Sequence, residues 1–542
     1  MNPQSNKIKV AIALSGLIGL ANNVDSGTDA ITKTSAAAPQ PNRSSFNLLP
    51  FTNQVPPEIP NELKKGYELA HVYCQACHLF PEPNLLDKKT WRNGALRKMA
   101  PLLGVGRINL ESRADGKILQ EAGIFPASPL VSETDWRAIC NYYEQSAPEK
   151  PLPQGPRPKI QMGLKQFQLK ELKYRSPMPM TTLVKIDPAR KRLYVGDAQN
   201  KTLDVLNAAG ELVSRITLAS APVSLTAKPE GLYVTLIGHV FPSDERDGQL
   251  VLLEETGDQF KVHPILDKLQ RPTNTTFADL NNDGREDFVL SAFGNYLGRF
   301  FWFENLGGGR GQEQFLFERP GAICSYVYDA NKDGLPDIFV LMGQAKEGVY
   351  LFTNQGKGIF QETPLVEFHP LFGSTYFELA DFNGDGFLDI LASNGDNGDY
   401  PSPFKNYHGI RIYLNDGKNH FQEAWFYPLN GAFKAMAADF DHDGDLDVAA
   451  ISFFPDYDHS PEESFVYLEN KGGLKFEAYS FPESPTGRWL TMDVNDLDGD
   501  GDLDIVLGAF SQGPHSIPIP PSLQAKWNTN GVSVLFLENK LR

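Results

Sequence analysis

Apolar and polar residues follow two different periods along this chain, and the change of period divides it. From Asn61 to about Ala147 apolar positions fall at helical spacing. Leu63, Tyr67, Leu69 and Ala70 predict a first helix, and Trp136, Ile139 and Tyr143 give the i, i+3, i+7 stripe of a later one. Ser132 is placed to cap that later helix, with Glu133 and Asp135 in its first turn. Past about residue 180 the apolar runs shorten to strand length: Arg192-Leu-Tyr-Val-Gly, Gly231-Leu-Tyr-Val-Thr, then Phe-Val-Leu, Ile-Phe-Val-Leu, Ile-Leu-Ala, Val-Ala-Ala-Ile and Ile-Val-Leu. Residues 22–58 are aperiodic and rich in Ser, Thr, Ala, Asn and Pro, and read as a flexible linker. Residues 151–166 open on alternating prolines and read as a stiffer one. The expectation is a multidomain chain, with a small all-α domain over 59–150 and an all-β domain over 167–542.

One acidic pattern punctuates the β region five times. The copies are Asp279-Leu-Asn281-Asn-Asp283-Gly284-Arg-Glu-Asp287, Asp329-Ala-Asn331-Lys-Asp333-Gly334-Leu-Pro-Asp337 and Asp381-Phe-Asn383-Gly-Asp385-Gly386-Phe-Leu-Asp389. Two more follow: Asp439-Phe-Asp441-His-Asp443-Gly444-Asp-Leu-Asp447 and Asp496-Leu-Asp498-Gly-Asp500-Gly501-Asp-Leu-Asp504. Oxygen donors at positions 1, 3 and 5, with Gly at 6 for a sharp turn, match the opening of an EF-hand loop. The match then ends, because Asp stands at position 9 and a strand follows where an EF-hand has Glu at 12 and a helix. A calcium-binding loop closing a β-hairpin is the reading, with up to five ions; an Asx-rich turn without metal is the plainer alternative. The loops start 50, 52, 58 and 57 residues apart, the size of a four-stranded propeller blade. Each is followed by a strand ending in Asn before a turn: Asn305, Asn354, Asn415, Asn470 and, at the end of the chain, Asn539.

Residues 74–78 read Cys74-Gln-Ala-Cys77-His78. Two thiols at this spacing, with an imidazole directly after the second, form the pattern for covalent attachment of one haem c. Cys74 and Cys77 would bond the two vinyl groups and His78 would reach the iron. A zinc site would need a second Cys or His pair. The other two cysteines, Cys140 and Cys324, stand far apart in different expected domains and are expected to remain free buried thiols.

These motifs carry two resemblances. The segment with Gly66-Tyr67, the Cys-x-x-Cys-His motif and an aromatic last helix resembles a class I cytochrome c domain, which implies that the first and last helices cross. The resemblance also implies a distal methionine. Met99, 21 residues after His78, fits that role, with core packing as its alternative; His71 is the rival ligand but lies beside the motif on the first helix. The acidic repeats resemble FG-GAP or VCBS-type repeats of the integrin-like propeller over about 270–540. Two further blades over 180–268 make seven. The last blade stops after its third strand, so Phe167-Gln-Leu-Lys-Glu-Leu-Lys-Tyr174 is expected to close the ring.

Charge and the chain start refine the picture. A net charge of −17 argues against a nucleic-acid partner, and 17 motif aspartates would be offset by bound cations. Lys7, Lys9 and the apolar run Val10–Leu20 outline a signal peptide over 1–21, too short to serve as a transmembrane anchor, and place the protein in the periplasm or outside the cell. Long inserts bearing His239, Asp244, Asp396, Asp399, Tyr400, Tyr407, His408, Asp456 and Tyr457, together with Arg271, Arg319 and Arg488, are expected on the face opposite the acidic turns. There they could take a saccharide or other small polar ligand, or merely pack together. The expected function is an exported haem c electron-transfer protein that meets a redox partner protein. The alternative is a cytochrome-fused dehydrogenase oxidising a sugar or alcohol, an analogy with quinoprotein dehydrogenases that rests on fold alone.

Overall fold

The computed structural model describes residues 59–257, 259–398, 403–514 and 516–541. The expected signal peptide, the 22–58 linker, and Asp399 and Tyr400 lie outside the described residues. The helical part contains Asn61–Tyr73, Leu96–Leu102, Gly116–Ala122 and Glu133–Ser146. The first and last of these cross at Gly66, where an added Cβ would come 2.2 Å from the Ala138 carbonyl oxygen and 2.8 Å from the Tyr142 Cβ. Only a residue without a side chain admits that approach. Ser132 caps the last helix by accepting the Asp135 N–H at 3.1 Å, and Asp135 pairs with Lys65 of the first helix at 2.7 Å. Between them lies an apolar core built on Leu63, Ala70, Phe80, Trp91, Leu96, Ile139 and Tyr143.

From residue 181 on, the described residues are dominated by a ring of seven antiparallel four-stranded sheets, with the helix Pro521–Asn530 inserted before the last strand. Blade 1 spans Thr181–Asp187 to Leu212–Thr217, blade 2 Pro222–Lys228 to Gln259–Leu269, and blade 3 Pro272–Ala278 to Arg310–Phe317. Blades 4, 5 and 6 start at Ala322–Tyr328, Ser374–Ala380 and Ala432–Ala438 and end at Phe360–Glu367, Phe421–Pro428 and Phe476–Ser480. Blade 7 takes Trp489–Asn495, Asp504–Ala509 and Val534–Asn539 from the end of the chain. Its outer strand is Phe167–Lys170, antiparallel to Val534–Asn539, so the two ends of the propeller sequence meet in one sheet. Closure in this way gives blade 7 its fourth strand and covers the outer edge of Val534–Asn539. Within the expected 151–166 linker, Ile160–Met162 adds a parallel strand outside blade 6.

The seven first strands pack side by side around the axis, the last against the first. Every one carries a register shift at its second residue: Thr182, Val223, Thr273, Ile323, Thr375, Phe433 and Leu490. A bulge there increases the local twist at the start of each blade. The acidic loops join first to second strands in blades 3 to 7 and lie on one face. Links between second and third strands, and crossings between blades, lie on the other.

Candidate functional site

Cys74 ends the first helix, its N–H donating to the Ala70 carbonyl at 2.8 Å. Its thiol is half-buried, and burial pushes it up to about 11. Cys77, three residues on, is exposed. His78 donates its Nδ1–H to the Leu79 carbonyl at 2.8 Å, so the neutral ring carries its lone pair on Nε2, the atom a metal would take. Burial lowers the His78 pKa, which also favours the neutral, ligating form. Met99 lies on Leu96–Leu102, 37% exposed; Val72 and Leu130 are exposed as well, 65% and 53%. His71, the rival ligand, is held elsewhere: its ring stacks on Phe80 at 3.8 Å and its Nδ1 donates to the Tyr67 carbonyl. None of the described cysteines is disulfide-bonded; Cys324 is buried in blade 4 and Cys140 half-buried in the last helix.

The helical domain sits on the face of crossings and long inserts. Leu371, in the crossing from blade 4 to blade 5, packs into the helical core. From the same crossing His369 meets the Phe80 backbone and lies within electrostatic reach of His78. Buried Tyr407 donates its hydroxyl to the Leu85 carbonyl at 3.1 Å. On the other side of the domain Asp115, gripped twice by Arg113 at 2.8 Å, accepts the Asp244 N–H of blade 2, and Phe125 packs edge-on against Tyr296 of blade 3. The linker is fixed too, with Arg157 bound to Glu463 and Asn430 of blade 6.

The expected ligand-binding arginines do other work. Arg271 and Arg488, each directly before a first strand, donate to insert carbonyls: His239, Val240 and Gly294 for one, Phe453, Gln512 and Pro514 for the other. They tie neighbouring inserts together, and burial lowers each to about 10. Arg319 lies 3.7 Å over the Phe317 ring. Asp244 is buried and accepts the backbone N–H groups of Asn295, Tyr296 and Leu297. What this face leaves open is a cleft of about 590 Å³ between the two domains, lined by Lys89, Asn93, Glu149, Lys150, Pro403 and Ser516 among others.

On the opposite face the five loops repeat one hydrogen-bond scheme. The position-1 aspartate accepts the N–H of the position-6 glycine at 2.8–3.1 Å, position 3 accepts from position 5, and position 5 from position 7. The glycine holds φ between +82° and +101°, a conformation that excludes most side chains. This scheme fixes the side chains at 1, 3 and 5 near solvent; positions 1, 3 and 5 converge in the fourth loop and positions 1, 3 and 9 in the fifth. Asp439, Asp441 and Asp443 bring three carboxylates within 4.8 Å of one another, as do Asp496, Asp498 and Asp504. Position 9 differs from the others. Asp287, Asp337, Asp389, Asp447 and Asp504 are fully buried, and one oxygen of each accepts the N–H of the Asn that ends the third strand, at 2.7–3.0 Å. The other oxygen takes the position-2 N–H in four loops and also the Tyr467 hydroxyl in blade 6. Burial raises all five, Asp447 to about 7 and Asp504 to about 6. This carboxylate and its Asn partner lock the acidic loop to the third strand, which explains why the two sequence signatures travel together.

The axis holds a polar cluster that sequence reasoning missed. Lys185 pairs with Asp493 at 3.0 Å, Lys434 donates to the Met492 carbonyl at 2.7 Å, Glu378 accepts the Ala437 N–H at 2.9 Å, and the Tyr326 and Tyr376 hydroxyls meet at 2.7 Å. These side chains come from the third and fifth residues of first strands. A polar residue at alternate positions of an otherwise apolar strand was the available signal. They are enclosed by seven blades, and the enclosure raises Glu378 to about 7 and lowers Lys434.

Residues 279–340, 329–392 and 403–450 match the FG-GAP-like repeat family. No curated protein matches the chain. Among solved structures the chain is similar to Sqt1 of Saccharomyces cerevisiae, at 10% identity and a TM-score of 0.39, over 68% of this chain and 98% of that one. It is also similar to BBS1N, solved in complex with ARL6DN and soaked with lead, at 10% identity and a TM-score of 0.41, over 68% and 96%. The stretch from Asp279 to Ala450, which carries the first four acidic loops, thus contains FG-GAP-like repeats set within a seven-bladed propeller.

Proposed function

We propose that this chain is an exported one-electron carrier. In this reading a haem c is held by Cys74, Cys77 and His78 in the helical domain, and that domain is seated on a propeller braced by calcium in its five acidic loops. The observation that carries the proposal is the His78 hydrogen bond to Leu79, which leaves Nε2 free to bind beside two thiols of haem-attachment spacing. A bound haem supplies reversible Fe(III)/Fe(II) chemistry. The two cysteines tether it, Val72 and Leu130 offer apolar surface, and Met99 is the available sulfur donor, since His71 is stacked against Phe80. Oxygens at positions 1, 3 and 5 of each loop form the hard donor set that calcium takes, and calcium is plentiful outside the cell. The propeller surface is the natural place for a redox partner protein or a small polar ligand. Among the described residues no helix is long and apolar enough to cross a membrane.

The second reading, a dehydrogenase that oxidises a sugar or alcohol and passes electrons to the haem, draws on the cleft between the domains. Purified holoprotein separates the two. Reduction only by chemical reductants or partner proteins is expected for the carrier, seen as sharpening of the visible haem bands. Steady reduction on adding sugars or alcohols, lost when Lys89 and Glu149 are replaced, would instead establish the dehydrogenase.

A further inference from the structure

We propose that the insert between the second and third strands of blade 2 holds a divalent transition-metal ion on His239, Glu245 and Asp247. The His239 Nε2 lies 2.9 Å from an Asp247 oxygen and 3.2 Å from a Glu245 oxygen, and all three donor atoms fall within 4.8 Å of one another. His239 Nε2 thus faces two carboxylate oxygens at once. Separations near 3 Å are also those of neighbouring ligands around an ion with bonds of about 2.1 Å.

The donor set distinguishes this place from the acidic loops. Carboxylates alone suit calcium, whereas an imidazole with two carboxylates suits zinc and its first-row neighbours. Three protein ligands leave a further coordination position for water or a small ligand. The frame is fixed beneath them: half-buried Arg271 holds the His239 and Val240 carbonyls at 3.1 and 3.0 Å, and the Ser243 hydroxyl donates to the Glu245 carboxylate at 3.2 Å. Asp244, directly before Glu245, receives the helical domain through Asp115. An ion on the triad would therefore stiffen the segment on which that domain is seated.

The test is zinc calorimetry on the full-length protein with excess calcium present to fill the acidic loops. Wild type is expected to take up one zinc per chain at this site, with a rise in the thermal midpoint. His239→Ala and, separately, Glu245→Gln are each expected to weaken that uptake by at least about tenfold, or 1.4 kcal/mol. His239 is 41% exposed, so its replacement should leave the zinc-free melting unchanged. If no zinc is taken up, or if both variants bind it as wild type does, the assignment is overturned.

Discussion

The two faces of the propeller are built by opposite means. On one, five loops with the same residues at the same register form the same hydrogen bonds, and their oxygens stay near water. On the other, inserts of unequal length share no pattern, bury their charged groups against carbonyls and amides, and carry the helical domain. Repetition therefore marks the face whose structure is local, while the irregular face is specified by contacts between segments hundreds of residues apart, such as Tyr407 with Leu85. A recurring motif and a docking surface leave different traces, and only the first is periodic.

Within the acidic loops the comparison can be broken at one residue. Asp389→Ala should cost about 2–5 kcal/mol, because it leaves the buried N–H groups of Phe382 and Asn415 without acceptors. Asp385→Ala, in the same loop but exposed, should matter chiefly when calcium is present. Chelation should lower the propeller melting temperature of wild type and leave the haem bands intact. Equal losses from both substitutions, or melting indifferent to chelation, would remove the distinction between lock and ligand.

The axis links the two faces and should respond to pH. Enclosure raises Glu378 from an ordinary 4.5 to about 7. The folded form thus binds the proton more tightly than the unfolded form does, and the resulting stability is complete below about pH 4.5 and lost as pH rises through about 7. Between pH 5 and 8 wild type should lose up to about 3 kcal/mol relative to Glu378→Gln, measured by denaturant titration. Lys434 and Lys185 favour the ionised Glu378 and Asp493 opposes it, so parallel pH profiles for the two proteins would show that the two lysines already hold Glu378 ionised.

On the covered face the expected effect is smaller. Tyr407→Phe removes one buried hydrogen bond to Leu85 and should cost about 1 kcal/mol. Limited proteolysis should then cut more readily between the helical domain and blade 1, with the blades themselves unaffected. Unchanged cleavage would mean that the other contacts, those of Leu371, His369, Asp115 and Phe125, hold the domain without it.

Much of this was legible from sequence because periodic signals have local causes. The Asp-x-Asn/Asp-x-Asp-Gly spacing gave the loops and the blade period, and the alternation at Phe167–Lys170 gave the closing strand. Blades 1 and 2 lack the acidic loops but share the first-strand bulge, which depends on backbone register and leaves no residue signature. The roles of position 9, of Arg271 and Arg488, and of His369 beside the Cys-x-x-Cys-His segment were hidden for the same reason. A buried carboxylate, a clamp on carbonyls and a ligand have the same side chains, and only their partners tell them apart.

Electron transfer by this chain depends on residues 74–78 holding a haem. The most direct measurement is the intact mass of protein produced in a host that attaches haem outside the cytoplasm, taken after denaturation and acid extraction. The prediction is a polypeptide carrying the mass of one haem, lost in the Cys74→Ala, Cys77→Ala double variant. A bare polypeptide mass in the wild type, with all haem in the extract, would contradict it.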